Sequence, residues 1–488
     1  MGKVDFSISF LSVRIPVSFS FITCPNRVWV QPLHMRQAFM AEFNGFMEAL
    51  AQAFLRYGRA DAYQCYFSSS ELSVLSREEM GRLARIDSRV RICPLDLAWP
   101  KKPPRCDVLY METIQPEREL VFRRWLERDY PVPVTRNTYT IATRGHLREL
   151  LDVCLLNLGG RPFDALVVLS HATKAAVEVL MADVADLSGG ALTWRGRVEV
   201  IPPGLEMEAF EPIDRLEARR ALELPSDTVI LLSIARLSSS SKMTYSRMLD
   251  ALARIQSRTS QRVLLVLAGA GSNQEVIALE AAIAARGLVG LAICRPNFAD
   301  GEKVALLSAA DIFLSLSDNL QESYGISLVE AMAVGLPIVC TDWDGYRDIV
   351  RPAVNGFLVP TTWDVQDSLI GEMDVFRHPY SHETIQAIAQ SISLDEAFLD
   401  EHLLLLVERP ELRSSYAERN RTEARERFNI RHTVESYEHL WQELAAVAAR
   451  DSSQYRNLAP ALTYDYSRHF RSYPTRTTIS SDPDEHLP

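Results

Sequence analysis

The sequence predicts an α/β protein made of two Rossmann-like domains facing a cleft. Three observations carry that expectation. The length, 488 residues, exceeds what one hydrophobic core comfortably serves. From about residue 27 short β-rich apolar runs alternate with longer helical patterns, which is the rhythm of βαβ units around a parallel sheet. That rhythm pauses at Pro202-Pro203-Gly204 and then restarts, and Pro with Gly at such a pause marks a domain joint.

The strands expected in the first domain are Arg27 to Val30, Ala62 to Phe67, Val90 to Pro94, Asp107 to Met111, Val132 to Thr135, Ala165 to Leu169 and Val198 to Ile201. Those of the second are Val229 to Ile234, Arg262 to Ala268, Ala292 to Cys294, Asp311 to Leu316 and Pro337 to Thr341. Helices are expected at Lys242 to Arg258, Asn273 to Arg286, Gly301 to Ala309 and Gly325 to Val334, and residues 365 to 450 read as mostly helical, ending in an amphipathic run from Thr422 to Ala448. An early stripe of Phe39, Phe43, Phe46, Met47, Leu50 and Phe54 has helical spacing across Gln37 to Tyr57. Its polar face offers Glu42 and Glu48 rather than Lys or Arg, which favours a core-facing helix over a membrane-surface one.

These elements divide the chain into an irregular extension (1–26), a first domain (27–204), a second domain (205–421), a C-terminal helix (422–450) and a poorly ordered, Ser-, Tyr- and Arg-rich tail (451–488). The apolar stretch from Phe6 to Thr23 is interrupted by Arg14 and Pro16, so neither a signal peptide nor a membrane span is expected, and the protein reads as cytoplasmic. The seven cysteines form no CxxC pair and sit in apolar runs, as free thiols in a reducing compartment do. A formal charge of -11 argues against a nucleic-acid binder, which needs a basic footprint, but leaves small anionic ligands open.

The chemistry is concentrated between Ser317 and Pro337, which reads as strand end, polar loop, helix, stop and next strand. Ile326, Leu328, Val329 and Met332 are spaced to face a sheet, and Gly335 with Pro337 ends the helix. A helix opening at Gly325 presents unpaired N–H groups where no side chain bars an anion, which makes a phosphate site. Glu330, further along, can accept hydrogen bonds from the adjacent hydroxyls of a ribose, and Glu322 in the preceding loop can do the same for a sugar. After the strand at Val229 to Ile234, Arg236 and Lys242 offer positive charge around a run of serines. Together they can neutralise a diphosphate as its bond to a sugar breaks.

Glu322 to Glu330, with Gly325 between them and Ala331-Met332-Ala333 after them, resembles the E-x7-E motif of retaining family-4 glycosyltransferases of the GT-B fold, the glycosyl transferases group 1. The likeness continues through Asp342 to Asp348 and Asn355 to Pro360, and spans roughly residues 160 to 445. It implies transfer of a sugar from a UDP- or GDP-linked donor to a glycan or lipid-linked acceptor, with retention of configuration. It further implies that the leaving diphosphate helps to take the acceptor proton, that no obligatory metal is needed, and that the C-terminal helix returns to the first domain. Polysaccharide or glycolipid assembly, with peripheral membrane contact, fits the same family. In this light Arg236, Lys242 and Glu322 support catalysis, while Glu330, Ser323, Tyr324, Gly325 and Ile326 bind the donor.

Other segments match with departures. Ser233 to Lys242 resembles the family's Gly-Arg-Leu...Lys motif, but Ala235 stands where Gly is usual and the spacing to Lys242 is longer than the commonest form. Gly269 lies in the family's glycine-bearing strand end, and Asn297 where the base is usually met through main chain. Ser170 opens a segment that faces the cleft in the family; its neighbour His171 reads as a helix-start residue more than as a base. Tyr139 stands where many members carry a His that helps hold the donor sugar. Asp342-Trp343-Asp344 also fits the metal-binding DxD pattern of a different fold, though its place after the second-domain helix argues for a loop role. Two rivals share the phosphate site: a nucleotide-sugar epimerase, and a non-catalytic relative that binds a nucleotide or a partner protein.

Overall fold

The computed structural model describes the backbone of residues 18–22 and 28–33, and residues 41–67, 87–94, 107–111, 114, 119–120, 122–123, 131–156, 161–363 and 374–451. The N-terminal part contains β1 (Ser18–Ile22), β2 (Val28–Leu33), α1 (Ala41–Tyr57), β3 (Tyr63–Phe67), β4 (Val90–Pro94) and β5 (Leu109–Met111). It continues with β6 (Val134–Asn137), α2 (Arg144–Leu156), β7 (Ala165–Val168), α3 (His171–Leu187) and β8 (Arg197–Val200). Its strands form two four-stranded sheets, ordered β1-β2-β3-β4 and β5-β6-β7-β8, parallel throughout except that β1 runs antiparallel to β2.

Strand β1 corrects the expectation of an irregular extension over 1–26. Ser18-Phe19-Ser20-Phe21 alternates small polar with apolar residues, the period of a strand, and pairs in register with Trp29 to Leu33. The remainder of that extension before Ser18, Phe39 of the early stripe, and the tail beyond Asp451 lie outside the described residues. Leu50 and Phe54 of the stripe are fully buried, on the core side of α1.

The C-terminal part runs α4 (Arg215–Ala221), β9 (Val229–Ile234), α5 (Ser246–Gln256), β10 (Val263–Gly269), α6 (Asn273–Ala285), β11 (Ala292–Pro296), α7 (Lys303–Ala309), β12 (Ile312–Ser315), α8 (Ile326–Val334) and β13 (Ile338–Thr341). It ends with α9 (Tyr346–Ile349), β14 (Gly356–Val359), β15 (Thr361–Trp363), α10 (Glu383–Ser391), β16 (Ile392–Leu394), α11 (Glu396–Glu408), α12 (Pro410–Arg427) and α13 (Ile430–Arg450). Six strands make one parallel sheet in the order β11-β10-β9-β12-β13-β14. Chain order therefore reverses between β9 and β12, and in open α/β sheets the crevice outside the carboxyl ends of strands at such a reversal is where ligands bind.

Both faces of this sheet are covered. Ile230, Leu232 and Ile234 of β9 join one core with α8, while Val229 and Leu231 join another with α5 and α11. That is why these strands read as unbroken apolar runs rather than as alternating patterns. Leu328, Val329 and Met332 of α8 are buried as their spacing predicts, and Ile326 is half-buried against the same core.

The chain crosses between the two parts twice, side by side. Leu205 N–H donates to Phe428 O (2.8 Å), and Ile430 N–H donates to Leu205 O (2.9 Å). The expected helix over 422–450 is broken at this crossing. Helix α12 ends at Arg427, and Asn429 opens α13 by accepting from Arg431 N–H, so the break lies at 428–429 rather than at 422. Asn420 of α12 donates to Leu336 O of the C-terminal part, whereas α13 packs on the N-terminal part. There Trp441 stacks on Phe54 (ring centroids 5.3 Å apart) and Tyr437 OH donates to Asn137 Oδ1 (2.7 Å).

Candidate functional site

The loops after β9 and β12 meet at the reversal point. Leu237 N–H donates to Ala270 O (2.7 Å) and Tyr245 OH donates to Arg236 O (2.5 Å), which folds residues 235–245 into a compact loop. Lys242 therefore lies in a turn, with its N–H on Ser238 O, and α5 begins at Ser246; the expectation that Lys242 opens a helix is corrected. The second loop is fastened to the first. Ser317 Oγ donates to Lys242 O, Asn319 Nδ2 donates to Ser240 O, and buried Asp318 accepts from Thr244 N–H and pairs with Arg247 at 3.2 Å. Burial pushes the Asp318 carboxyl up, against the opposing pull of Thr244 and Arg247.

This fastening brings Lys242 Nζ to 2.8 Å from Glu322 Oε2. Tyr346 OH donates to the same carboxylate oxygen (3.0 Å) while standing 2.7 Å from Ser315 Oγ, and burial drives its phenol pKa well above the ordinary value. Arg236 lies in the same loop as Lys242, its guanidinium donating to Ser241 Oγ and to Ser241 O. Lys242 and Glu322 thus meet, with Arg236 in the loop of Lys242, and Tyr346 joins them as a residue not expected at the site.

Gly325 caps α8 with φ +105°, and a Cβ there would lie 2.5 Å from the Tyr346 ring, so both backbone shape and space require glycine. Leu328 N–H turns back onto Gly325 O (2.9 Å), and the N–H groups ahead of it have no carbonyl one turn earlier in the helix to meet. Glu330 is buried, with Lys303 Nζ 2.9 Å from Oε1. Tyr324 is expected among the donor-binding residues, and the structure limits how it can serve there. Its ring lies in the hydrophobic core under α8, which leaves only its main chain for that purpose.

Gly269 ends β10 at φ +148°, and a Cβ on it would sit 1.7 Å from Ala235 O. The two strand-end loops are therefore packed backbone to backbone. Asn297, itself at φ +52°, donates from its own N–H to Gly269 O, while its side-chain amide bridges the N–H and carbonyl of Gly271. Its side chain braces the glycine turn.

The remaining expected residues form the seam with the N-terminal domain. Ser323 Oγ donates to Tyr139 O (2.5 Å). Ser170, fully buried, caps α3 and lies 2.8 Å from Asp344 Oδ1, and the N–H of His171 donates to Asp348 Oδ2 (2.8 Å). Two carboxylates of the C-terminal domain thus sit on the positive end of an N-terminal-domain helix. Burial, with Glu322 nearby, pushes Asp344 up to about 6 despite the bonds from Ser170 and Thr173. The carboxylates of the Asp342-Trp343-Asp344 pattern are engaged apart, Asp342 by Arg347 (2.5 Å) and Asp344 by Ser170. Among the described residues no group of three or more His, Cys, Asp or Glu could hold a metal ion.

Tyr346, Lys303, Asp348 and the contact of Gln321 with His382 (2.8 Å) carry no expectation from the sequence, and Asp344 enters there only through a metal-binding pattern. Only the Asp342 to Asp348 segment carried a signal, through its resemblance, and that signal did not say what the carboxylates touch.

Residues 214–373 match the family described as Glycosyl transferases group 1. A D-inositol 3-phosphate glycosyltransferase from Geodermatophilus obscurus is 32% identical over 251 residues, covering 48% of this chain and 52% of that protein. One from Streptosporangium roseum is 30% identical over 258 residues, covering 49% and 56%. The chain thus spans about half the length of the curated relatives it matches. Among solved structures, a glycosyltransferase from Rickettsia africae aligns with a TM-score of 0.56 at 13% identity, covering 86% of this chain and 97% of that one. Anabaena HepE in complex with UDP and glucose aligns with a TM-score of 0.53 at 16% identity, covering 82% and 95%. The chain has the GT-B fold, and its residues 214–373 are similar to the glycosyl transferases group 1 family.

Proposed function

We propose that the protein is a retaining glycosyltransferase that moves a hexose from a UDP- or GDP-linked donor to a glycan, lipid-linked or inositol phosphate acceptor. The observation that carries this reading is the contact of Lys242 with Glu322, with Arg236 bonded to the neighbouring Ser241, just ahead of the N-terminus of α8 and at the point where strand order reverses.

In this reading the diphosphate lies against the first turn of α8 at Gly325, with Arg236 and Lys242 neutralising the charge that grows as the bond to the sugar breaks. Glu322 accepts hydrogen bonds from sugar hydroxyls, and Glu330 from the two ribose hydroxyls. Lys242 and Glu322 pair with each other, so donor binding exchanges that ion pair for contacts to phosphate and to sugar. The acceptor proton passes to the leaving diphosphate oxygen, and no protein base is assigned. His171 is largely exposed and engaged with Asp348, which suits a structural role at the seam. No metal is required in this scheme. Among the described residues no helix is long and apolar enough to cross a membrane, so a lipid-linked acceptor would be met at a membrane surface.

Thermal denaturation with UDP, GDP and ADP tests the donor half. One nucleotide should raise the Tm in a concentration-dependent way, and Arg236→Ala should remove most of that rise. Absence of stabilisation by all three would overturn the reading.

A further inference from the structure

A second bridge joins the domains away from the switch-point loops. Residues 374–382 reach from the C-terminal domain to the first turn of α2. Gly145 N–H donates to Pro379 O (2.8 Å), Arg144 donates to Arg377 O (2.8 Å), and Tyr380 OH donates to Glu149 (2.9 Å). Glycine is needed at 145 for this approach, because a Cβ there would lie 2.3 Å from the Tyr380 ring. The segment ends at His382, whose Nε2 is 2.8 Å from Gln321 Nε2.

Gln321 directly precedes Glu322, and both are tied to Asn319. Gln321 N–H donates to Asn319 Oδ1 (2.9 Å), and Glu322 N–H donates to Asn319 O (3.1 Å). The turn that carries Glu322 is therefore held from below by Asn319 and from the side by His382. Burial and the neighbouring Arg236 lower the His382 pKa, which favours the neutral ring, and a neutral imidazole can accept from the Gln321 amide.

We propose that residues 374–382 are an interdomain clasp in which His382, acting through Gln321, is a positioning residue for Glu322. The contact ties the geometry of the Glu322 turn to the seating of the N-terminal domain. The inference rests on the nucleotide-sugar reading for its kinetic consequence only.

Hydrogen exchange of the full chain, followed on peptides covering residues 317–325, tests it. His382→Ala should speed exchange there by about 10-fold, and His382→Gln, whose amide can still accept from Gln321, should restore most of the protection. Gly145→Ala lies in the other domain and should speed exchange in the same peptides by pushing the Tyr380 ring away. Unchanged protection of 229–234 in each variant would show that the fold is kept. Protection of 317–325 that is indifferent to His382→Ala, or to Gly145→Ala, would overturn the clasp. With UDP-glucose as probe, His382→Ala should lower kcat for UDP release more than it raises KM, and His382→Gln should recover it. A wild-type chain that releases no UDP would count against the nucleotide-sugar reading, while the exchange result would still decide the clasp.

Discussion

Lys242 Nζ and Glu322 Oε2 are 2.8 Å apart, one on the loop after β9 and the other on the loop after β12, with Glu322 only 6% exposed. Removing one partner of a fully buried pair costs about 3–5 kcal/mol. Because Lys242 keeps some water contact, roughly 1–3 kcal/mol is expected for Lys242→Met. Glu322→Gln in the same chain should recover more than half of that loss. Urea denaturation of the two single variants and the double variant measures the coupling, and strictly additive losses would show that the pair contributes nothing.

Glu330 predicts a ribose-specific effect. Glu330→Ala should weaken nucleotide affinity by about 10–100-fold, the size of one or two lost charge-assisted hydrogen bonds. The wild type should discriminate against the 2′-deoxy nucleotide, and the variant should not. Calorimetric titration with both nucleotides checks this, and equal discrimination by the two proteins would remove Glu330 from the ribose site.

Gly325 and Gly287 both have positive φ, but only Gly325 has the Tyr346 ring within 4 Å. Gly287→Ala should therefore show backbone strain alone, roughly 1–2 kcal/mol. Gly325→Ala adds a steric clash and should cost at least about 1 kcal/mol more. It should also abolish nucleotide stabilisation, because displacing Tyr346 disturbs Glu322. Denaturation midpoints for the two variants measure the difference.

Asp344 predicts a pH dependence with a definite sign. Its folded pKa, about 6, is raised above the ordinary carboxylate value, so the folded state binds more protons than the unfolded state in the window between the two. Its contribution to stability is present below the ordinary value and is lost as pH rises through about 6, by at most roughly 3 kcal/mol. Asp344→Asn should match the wild type at pH 4 and exceed it at pH 7.5. Asparagine suits the site, since position 344 has φ +39° and Ser170 can still donate to the amide oxygen. Tm measured against pH for both proteins checks the divergence.

Five of the six strands of the C-terminal sheet are legible as apolar runs, Val229–Ile234 to the residue, whereas the edge strand β14 (Gly356–Val359) is not, being short and opened by a glycine. Nor is the antiparallel pair β15 and β16. Each strand has three residues, and Thr361 finds Leu394 across a gap that no local pattern spans. Lys242 was misread because a helical pattern starting there is overridden by the tertiary bonds of Tyr245 and Asp318. Within the site, Glu322, Glu330 and Gly325 stood out through one short segment. Their partners did not, because Lys303–Glu330, Gln321–His382 and Ser170–Asp344 are separated by 27, 61 and 174 residues and depend on the finished fold.

The central claim is that the crevice at the carboxyl ends of β9 and β12 transfers a sugar from a nucleotide. Its most direct measurement is incubation of the wild type and Arg236→Ala with UDP- and GDP-sugars, with and without inositol phosphate and glycan acceptors, following free nucleotide and the anomeric configuration of the product. The account predicts acceptor-dependent nucleotide release, a product of retained configuration, and a loss of about 10²–10³ in rate for Arg236→Ala. A new free nucleotide-sugar isomer, nucleotide binding without turnover, or an Arg236→Ala variant of undiminished rate would contradict it.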